Sequence, residues 1–242
     1  MKGFLPLCLT ALLVTPSAYA IPWSYEGNNS PENWGALGSQ YQLCKEGAYQ
    51  SPIDIHGTIE AKLPPLPLHF RAHATTIINN GHTLQLNVDD EDNFSLDGIN
   101  FTLKQFHFHT PSENRIEGKS FPLEAHFVHS DTKGHLAVLA VMFDVGEENE
   151  ALQHIIDQAP ADKNQTLPLD KVIDIASLFP TSKHYYRFSG SLTTPPCTEG
   201  VRWLVMKESV SLSSQQLDRI KSLLGTTNNR PTQPLNGRMV VQ

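Results

Sequence analysis

The chain has 242 residues, with 25 acidic and 18 basic side chains and a formal net charge of −7. That balance opposes binding to nucleic acid or to an anionic membrane surface, and no basic cluster, internal repeat or low-complexity tract offsets it. The length fits one large domain, and no Gly/Ser/Pro-rich linker divides it.

In chain order, residues 1–20 read as an export signal. Lys2 supplies a positive start, Phe4 to Val14 an apolar run too short to span a bilayer, and Ala18-Tyr19-Ala20 a small-residue cleavage site. Cys8 lies inside the apolar run rather than at the cleavage site, so no lipid anchor is expected. Removing this segment takes away one lysine and no acid, leaving residues 21–242 with a net charge near −8. The expected location is the periplasm or the exterior, and monomer and homodimer both remain open. Two cysteines stay in the mature chain, Cys44 and Cys197, and an exported protein with two thiols is expected to pair them.

Most of the remaining sequence reads as short strands between turn residues. Ile77-Ile78-Asn79-Asn80-Gly81 leads through an Asn-Gly hairpin signal into Thr83–Val88, followed by Phe94–Phe108, Leu123–His129, Leu136–Phe143 and Val201–Met206. Helical spacing predicts a helix over Glu147–Gln158 with Leu152, Ile155 and Ile156 facing in. A second helix is predicted over Ser213–Leu224, opened by a Ser213/Gln216 capping box and ended by Gly225. The expected class is mainly β (α+β), one domain with helices at the periphery.

Strand parity singles out three histidines. In Gln105-Phe106-His107-Phe108-His109, the two imidazoles and Gln105 share one face and both phenylalanines the other. In Glu124-Ala125-His126-Phe127-Val128-His129, residues Glu124, His126 and Val128 share a face, while His129 points away. If the two strands pair, three imidazoles converge. Neutral nitrogen ligands with no nearby cysteine suit one Zn²⁺ per chain with an open coordination position. Gln105 and Glu124 can accept N–H bonds from the ligands' free ring nitrogens and set tautomer and orientation.

The segment Ser191-Leu192-Thr193-Thr194-Pro195-Pro196, together with the histidine strands, resembles the α-class carbonic anhydrases, in particular exported bacterial ones. The resemblance runs from Trp23-Ser24-Tyr25 through Gln50-Ser51-Pro52-Ile53-Asp54-Ile55, Asn79-Asn80-Gly81-His82 and Glu199-Gly200-Val201-Arg202-Trp203. It continues to Asn229-Arg230-Pro231 and Gln233-Pro234-Leu235. It implies a large twisted, mostly antiparallel central sheet, cis peptide bonds before Pro52 and Pro196, and reversible hydration of CO₂ to bicarbonate by a zinc-bound hydroxide. His107, His109 and His126 fall on the ligand positions, with Gln105 and Glu124 behind them. Thr193 matches the hydroxyl that orients the nucleophile, with Glu113 claiming its proton. Val128, Val138, Leu192, Thr194, Val201 and Trp203 match the substrate pocket, and its apolar wall suits a molecule with no charge to grip. His82 matches a proton shuttle, and Tyr25, Asn80 and Gln85 the residues that hold its waters. Aromatic sulfonamides are expected to inhibit.

Strict alternation from His82 puts Gln85 on the opposite face, so either a bulge intervenes or one of the two misses the cavity. Two other readings compete. His107-x-His109-x₃-Glu113 also fits the core of the first cupin motif, in which the glutamate ligates the metal. A catalytically silent zinc-binding relative is the second alternative, although all three histidines are present.

Overall fold

The alternating pattern is realised as a large sheet in the computed structural model, which describes residues 22–89 and 92–242. Residues 1–20, read above as an export signal, lie outside the described residues. The strands are β1 (Asp54–Ile55), β2 (Ala74–Asn79), β3 (Leu84–Val88), β4 (Asn93–Leu96), β5 (Ile99–His109) and β6 (Arg115–Ile116), then β7 (Leu123–Ser130), β8 (Leu136–Val145), β9 (Gln165–Pro168), β10 (Tyr185–Ser191), β11 (Glu199–Met206) and β12 (Val210–Leu212). Among the described residues three short α-helices accompany them, α1 (Leu43–Glu46), α2 (Glu150–Gln158) and α3 (Ser214–Leu224). Ten strands form one sheet in the order β10-β11-β8-β7-β5-β3-β2-β9, with β4 added to β5 and β12 to β8. The pairing is antiparallel apart from β11 and β12 on β8. Among the described residues no helix is long and apolar enough to cross a membrane.

Alternation along the central strands makes two cores. Phe106, Phe108, Phe127, Leu139 and Leu204 face a large core that also receives Leu152 and Ile155 of α2 and Leu217, Ile220 and Leu223 of α3. Burying each such side chain contributes about 1.5–3 kcal/mol. The other face carries a smaller core of Ile53, Ile55, Val138, Ala140, Trp203 and Val205. Helices α2 and α3 therefore close one side of the sheet and leave the histidine face for the loops and α1.

Two boundaries differ from expectation. Phe94–Phe108 is not one strand: Asp97 and Gly98, at φ 54° and 76°, turn β4 back onto β5. Asp-Gly is a type I′ hairpin pair, because both positions need positive φ. Helix α2 starts at Glu150 rather than Glu147, since Asn149 caps it by accepting the Leu152 N–H at 2.9 Å. Helix α3 has the expected capping box at Ser213 and Gln216, and Gly225 ends it in the left-handed conformation. Gln216 also binds the Asn149 N–H and C=O, so one side chain joins the starts of both helices.

Ser51–Pro52 and Pro195–Pro196 are cis, as the resemblance implies, and Thr110–Pro111 is a third cis bond that it did not. Cys44 and Cys197 are joined, 153 residues apart in sequence. On the chain-entropy model such a loop contributes about 5 kcal/mol to stability. Reduction is expected to lower the thermal midpoint markedly at neutral pH, measured by calorimetry with and without a phosphine reductant; an unchanged midpoint would remove the bridge from the stability account.

Candidate metal centre

Strands β5 and β7 pair in the register that parity requires, with His107 opposite His126 and His109 opposite Glu124. One coordinating atom from each of His107, His109 and His126 lies within 4.8 Å of the others, and among the described residues this is the group of side chains able to hold a metal. Each imidazole is held by its other nitrogen. His107 Nδ1 is 2.8 Å from Gln105 Oε1, His126 Nε2 is 2.8 Å from Glu124 Oε1, and His109 Nδ1 is 2.7 Å from the Asn228 carbonyl. That leaves His107 Nε2, His109 Nε2 and His126 Nδ1 to converge. Burial lowers the pKa of all three, and the neighbouring imidazoles lower His107 and His126 further, so the lone pairs are free at neutral pH.

His109 Nε2 is buried without a hydrogen-bond partner, as is Glu113 Oε2. An orphaned, buried imidazole nitrogen aimed at two others is what a metal ligand looks like without its ion. Three neutral nitrogens and no sulfur fit zinc. Glu113 Oε2 stands 3.6 Å from His109 Nε2 and 3.8 Å from His126 Nδ1, but Glu113 does not join the ligand group.

Glu124 is fixed in turn. Its carboxylate accepts the backbone N–H groups of Glu113 and Asn114 at 2.7 and 2.8 Å and the Asn114 amide at 2.7 Å. Burial raises the Glu113 carboxyl pKa well above the usual range, opposed by the Arg230 N–H at 2.9 Å and by the Thr193 side chain. Thr193 is buried on the loop after β10, whose far end is tethered by the disulfide.

A cavity of about 140 Å³ opens in front of the histidines, lined by Trp23, Tyr25, Asn80, His82, Gln85 and Thr194 among others. The conflict over Gln85 resolves without a bulge: His82 lies in the hairpin turn before β3, where alternation does not apply, and Gln85 pairs with His107. His82 is stacked on Trp23 with ring centroids 4.0 Å apart. Its pKa is lowered by partial burial and then by Lys163. Asn80 commits its side-chain oxygen to the turn, accepting the N–H groups of His82 and Thr83 at 2.9 and 2.8 Å. Burial, reinforced by Glu113, raises the Tyr25 pKa, which keeps the phenol protonated.

Val128, Val138, Leu192, Val201 and Trp203 gather in the smaller core, and Trp203 meets His126 edge-on at 4.9 Å. His129 sits on the opposite face, against Phe94, with its pKa lowered to about 4 by burial. Sequence reasoning missed Asn228, Asn114, Trp23 and Arg230 as parts of the site. Asn228 holds His109 through its carbonyl, which carries no residue signature, while its side chain ties that segment to Thr110, His82 and Phe108.

Residues 29–242 match the family model described as eukaryotic-type carbonic anhydrase. The chain belongs to the α-carbonic anhydrases. It is 48% identical to a carbonic anhydrase of Pectobacterium carotovorum, with all of both chains covered, and 42% identical to one of Neisseria gonorrhoeae, covering 100% of this chain and 96% of that one. The α-carbonic anhydrase of Thermovibrio ammonificans, solved with the inhibitor sulfanilamide, superposes with a TM-score of 0.89 at 46% identity, over 91% of this chain and 99% of that one. As a carbonic anhydrase the protein catalyses reversible hydration of CO₂ to bicarbonate and a proton. Membership sets aside the cupin alternative, and the intact ligand set opposes a silent relative.

Proposed function

We propose that this carbonic anhydrase works with one zinc ion held by His107 Nε2, His109 Nε2 and His126 Nδ1. The observation that carries this reading is the convergence of those three nitrogens while the other nitrogen of each ring is already bonded. Zinc on three neutral imidazoles supplies a water acidified to near neutrality, as is established for this ligand set.

The chain's own residues do the rest. Gln105, Glu124 and the Asn228 carbonyl hold the rings in register. Thr193 donates a hydrogen bond to Glu113, which a dication held by the neighbouring imidazoles would keep ionised despite its burial. The Thr193 oxygen can then only accept from the nucleophile, aiming a lone pair at the substrate carbon. The Thr193 N–H meets charge developing on the CO₂ oxygen. Val128, Val138, Leu192, Val201 and Trp203 form a wall that suits apolar CO₂, with Thr194 at the cavity side. A ring nitrogen of His82 takes up the released proton, and Tyr25, Gln85 and the Asn80 amide order the waters between. Aromatic sulfonamides are expected to inhibit at this centre, a reading supported by the Thermovibrio relative's having been solved in complex with the inhibitor sulfanilamide. The paired cysteines and the N-terminal signature support export to the periplasm or beyond.

Stopped-flow CO₂ hydration on the mature protein tests the proposal. Activity should vanish on chelation and return with one equivalent of zinc; activity that persists without metal would overturn it. His82→Ala should separate the cycle into its halves. Its kcat should fall in weak buffer and recover with added imidazole, while kcat/KM changes little. An unchanged kcat in dilute buffer would assign proton export to another route.

A further inference from the structure

Arg230 is 2% exposed and ranks among the largest fully buried side chains of the protein. Its guanidinium binds three acceptors within residues 44–51. Nη1 donates to Gln50 Oε1 at 2.9 Å and to the Ser51 carbonyl at 2.7 Å, and Nη2 donates to the Cys44 carbonyl at 2.8 Å. The planar group also lies over Trp34, 5.8 Å from the ring centroid. Burial lowers its pKa to about 10, so it stays charged at neutral pH. Its backbone N–H donates to Glu113 Oε1 at 2.9 Å. Gln50 extends the frame, donating through Nε2 to the Cys197 carbonyl and to Glu199 Oε1, both at 3.0 Å.

A buried charge is weak support for stability, because an apolar side chain of like volume often serves as well. What an apolar side chain cannot do is fix several acceptors at set angles, which the guanidinium fork does. The bonds of Arg230 reach both halves of the pair that faces the reaction: Glu113 through its own amide, and the Thr193–Cys197 loop through Gln50.

We infer that Arg230 is a positioning residue for CO₂ hydration, tying Glu113 and the loop that bears Thr193 into one frame so that the nucleophile is aimed. This rests on the reading of Thr193 and Glu113 as the orienting pair. The kinetic signature is a split. The ratio kcat/KM reports the step at CO₂, whereas kcat in weak buffer reports proton export through His82. A merely structural defect removes active molecules and lowers both by one factor.

Arg230→Lys keeps the charge and loses the fork. With zinc content unchanged, kcat/KM should fall about tenfold or more while kcat falls much less. In the metal-free protein, hydrogen exchange should quicken at the amides of Glu113 and of the 193–198 loop and stay unchanged in α2. In a Thr193→Ala background the same substitution should cost less than about twofold, since the group being aimed is gone. Equal losses in kcat and kcat/KM, or full multiplicative losses in the double variant, would overturn the inference. So would a loss in Thr193→Ala with none in Arg230→Lys, and that result leaves the orienting pair standing. If Thr193→Ala alone leaves kcat/KM intact, the orienting pair falls and the inference with it. Should Arg230→Lys not fold, Gln50→Leu breaks the link to the loop without touching the charge. A fall in kcat/KM at near-constant kcat then supports the inference, and no change overturns it.

Discussion

Alanine at His107, His109 or His126 is expected to abolish both zinc retention and CO₂ hydration. Each imidazole supplies one of three protein nitrogens, and a catalytic zinc site has no ligand to spare. The partner group suffers as well: in His126→Ala, Glu124 Oε1 loses the imidazole it holds at 2.8 Å. Leaving such a buried group short of a donor costs about 1–3 kcal/mol. Gln105→Ala provides the contrast, weakening metal affinity by about 10- to 100-fold without removing a ligand. Metal content by atomic emission and stopped-flow rates on the same samples decide the matter. Wild-type hydration in any of the three alanine variants would refute the ligand set.

Thr193→Ala and Glu113→Gln should keep zinc and lose about 10²-fold in kcat/KM, the scale expected when reacting groups are misaimed rather than removed. The two changes act on one bond from opposite ends. Alanine deletes the hydroxyl, while glutamine can present an amide donor to Thr193 where the carboxylate could only accept, so the hydroxyl is no longer obliged to accept from the nucleophile. Zinc release by Glu113→Gln would make Glu113, 3.6 Å from His109 Nε2, a ligand and overturn its role as the acceptor for Thr193.

Much of this centre was legible before any coordinates. Gln-Phe-His-Phe-His and Glu-Ala-His-Phe-Val encode two faces by alternation alone, and the register of β5 on β7 follows because a one-residue slip would turn the phenylalanines out of the core. The capping box at Ser213 and the hairpin at Asn80-Gly81 are local signals, read without tertiary knowledge. What escaped was of two kinds. The Asp97-Gly98 hairpin pair is masked by apolar residues that continue on both sides of it. The Asn228 carbonyl on His109, the Trp23 ring on His82 and the Arg230 bonds across more than 175 positions are different. They are contacts between distant segments, and one of them uses a backbone atom that every residue possesses. His82 looked misplaced beside Gln85 only because alternation was carried into a turn.

The strand order has a consequence for how the active protein comes into being. Residues that meet at the centre come from the N-terminal Trp23–Tyr25 stretch, the β2–β3 turn, β5, β7, the β10–β11 loop and the segment around Asn228, so its assembly waits on contacts spanning nearly the whole chain. Folds dominated by such non-local contacts have high contact order and form slowly. Hairpins such as β2–β3 and β10–β11 are local and can form early. The imidazole cluster can reach its final geometry only when the segment carrying Asn228 docks behind His109. In a chain made from its N-terminus, β5 and β7 appear well before Asn228, whose carbonyl holds His109 Nδ1, so the metal site is completed at the end of folding rather than at its beginning.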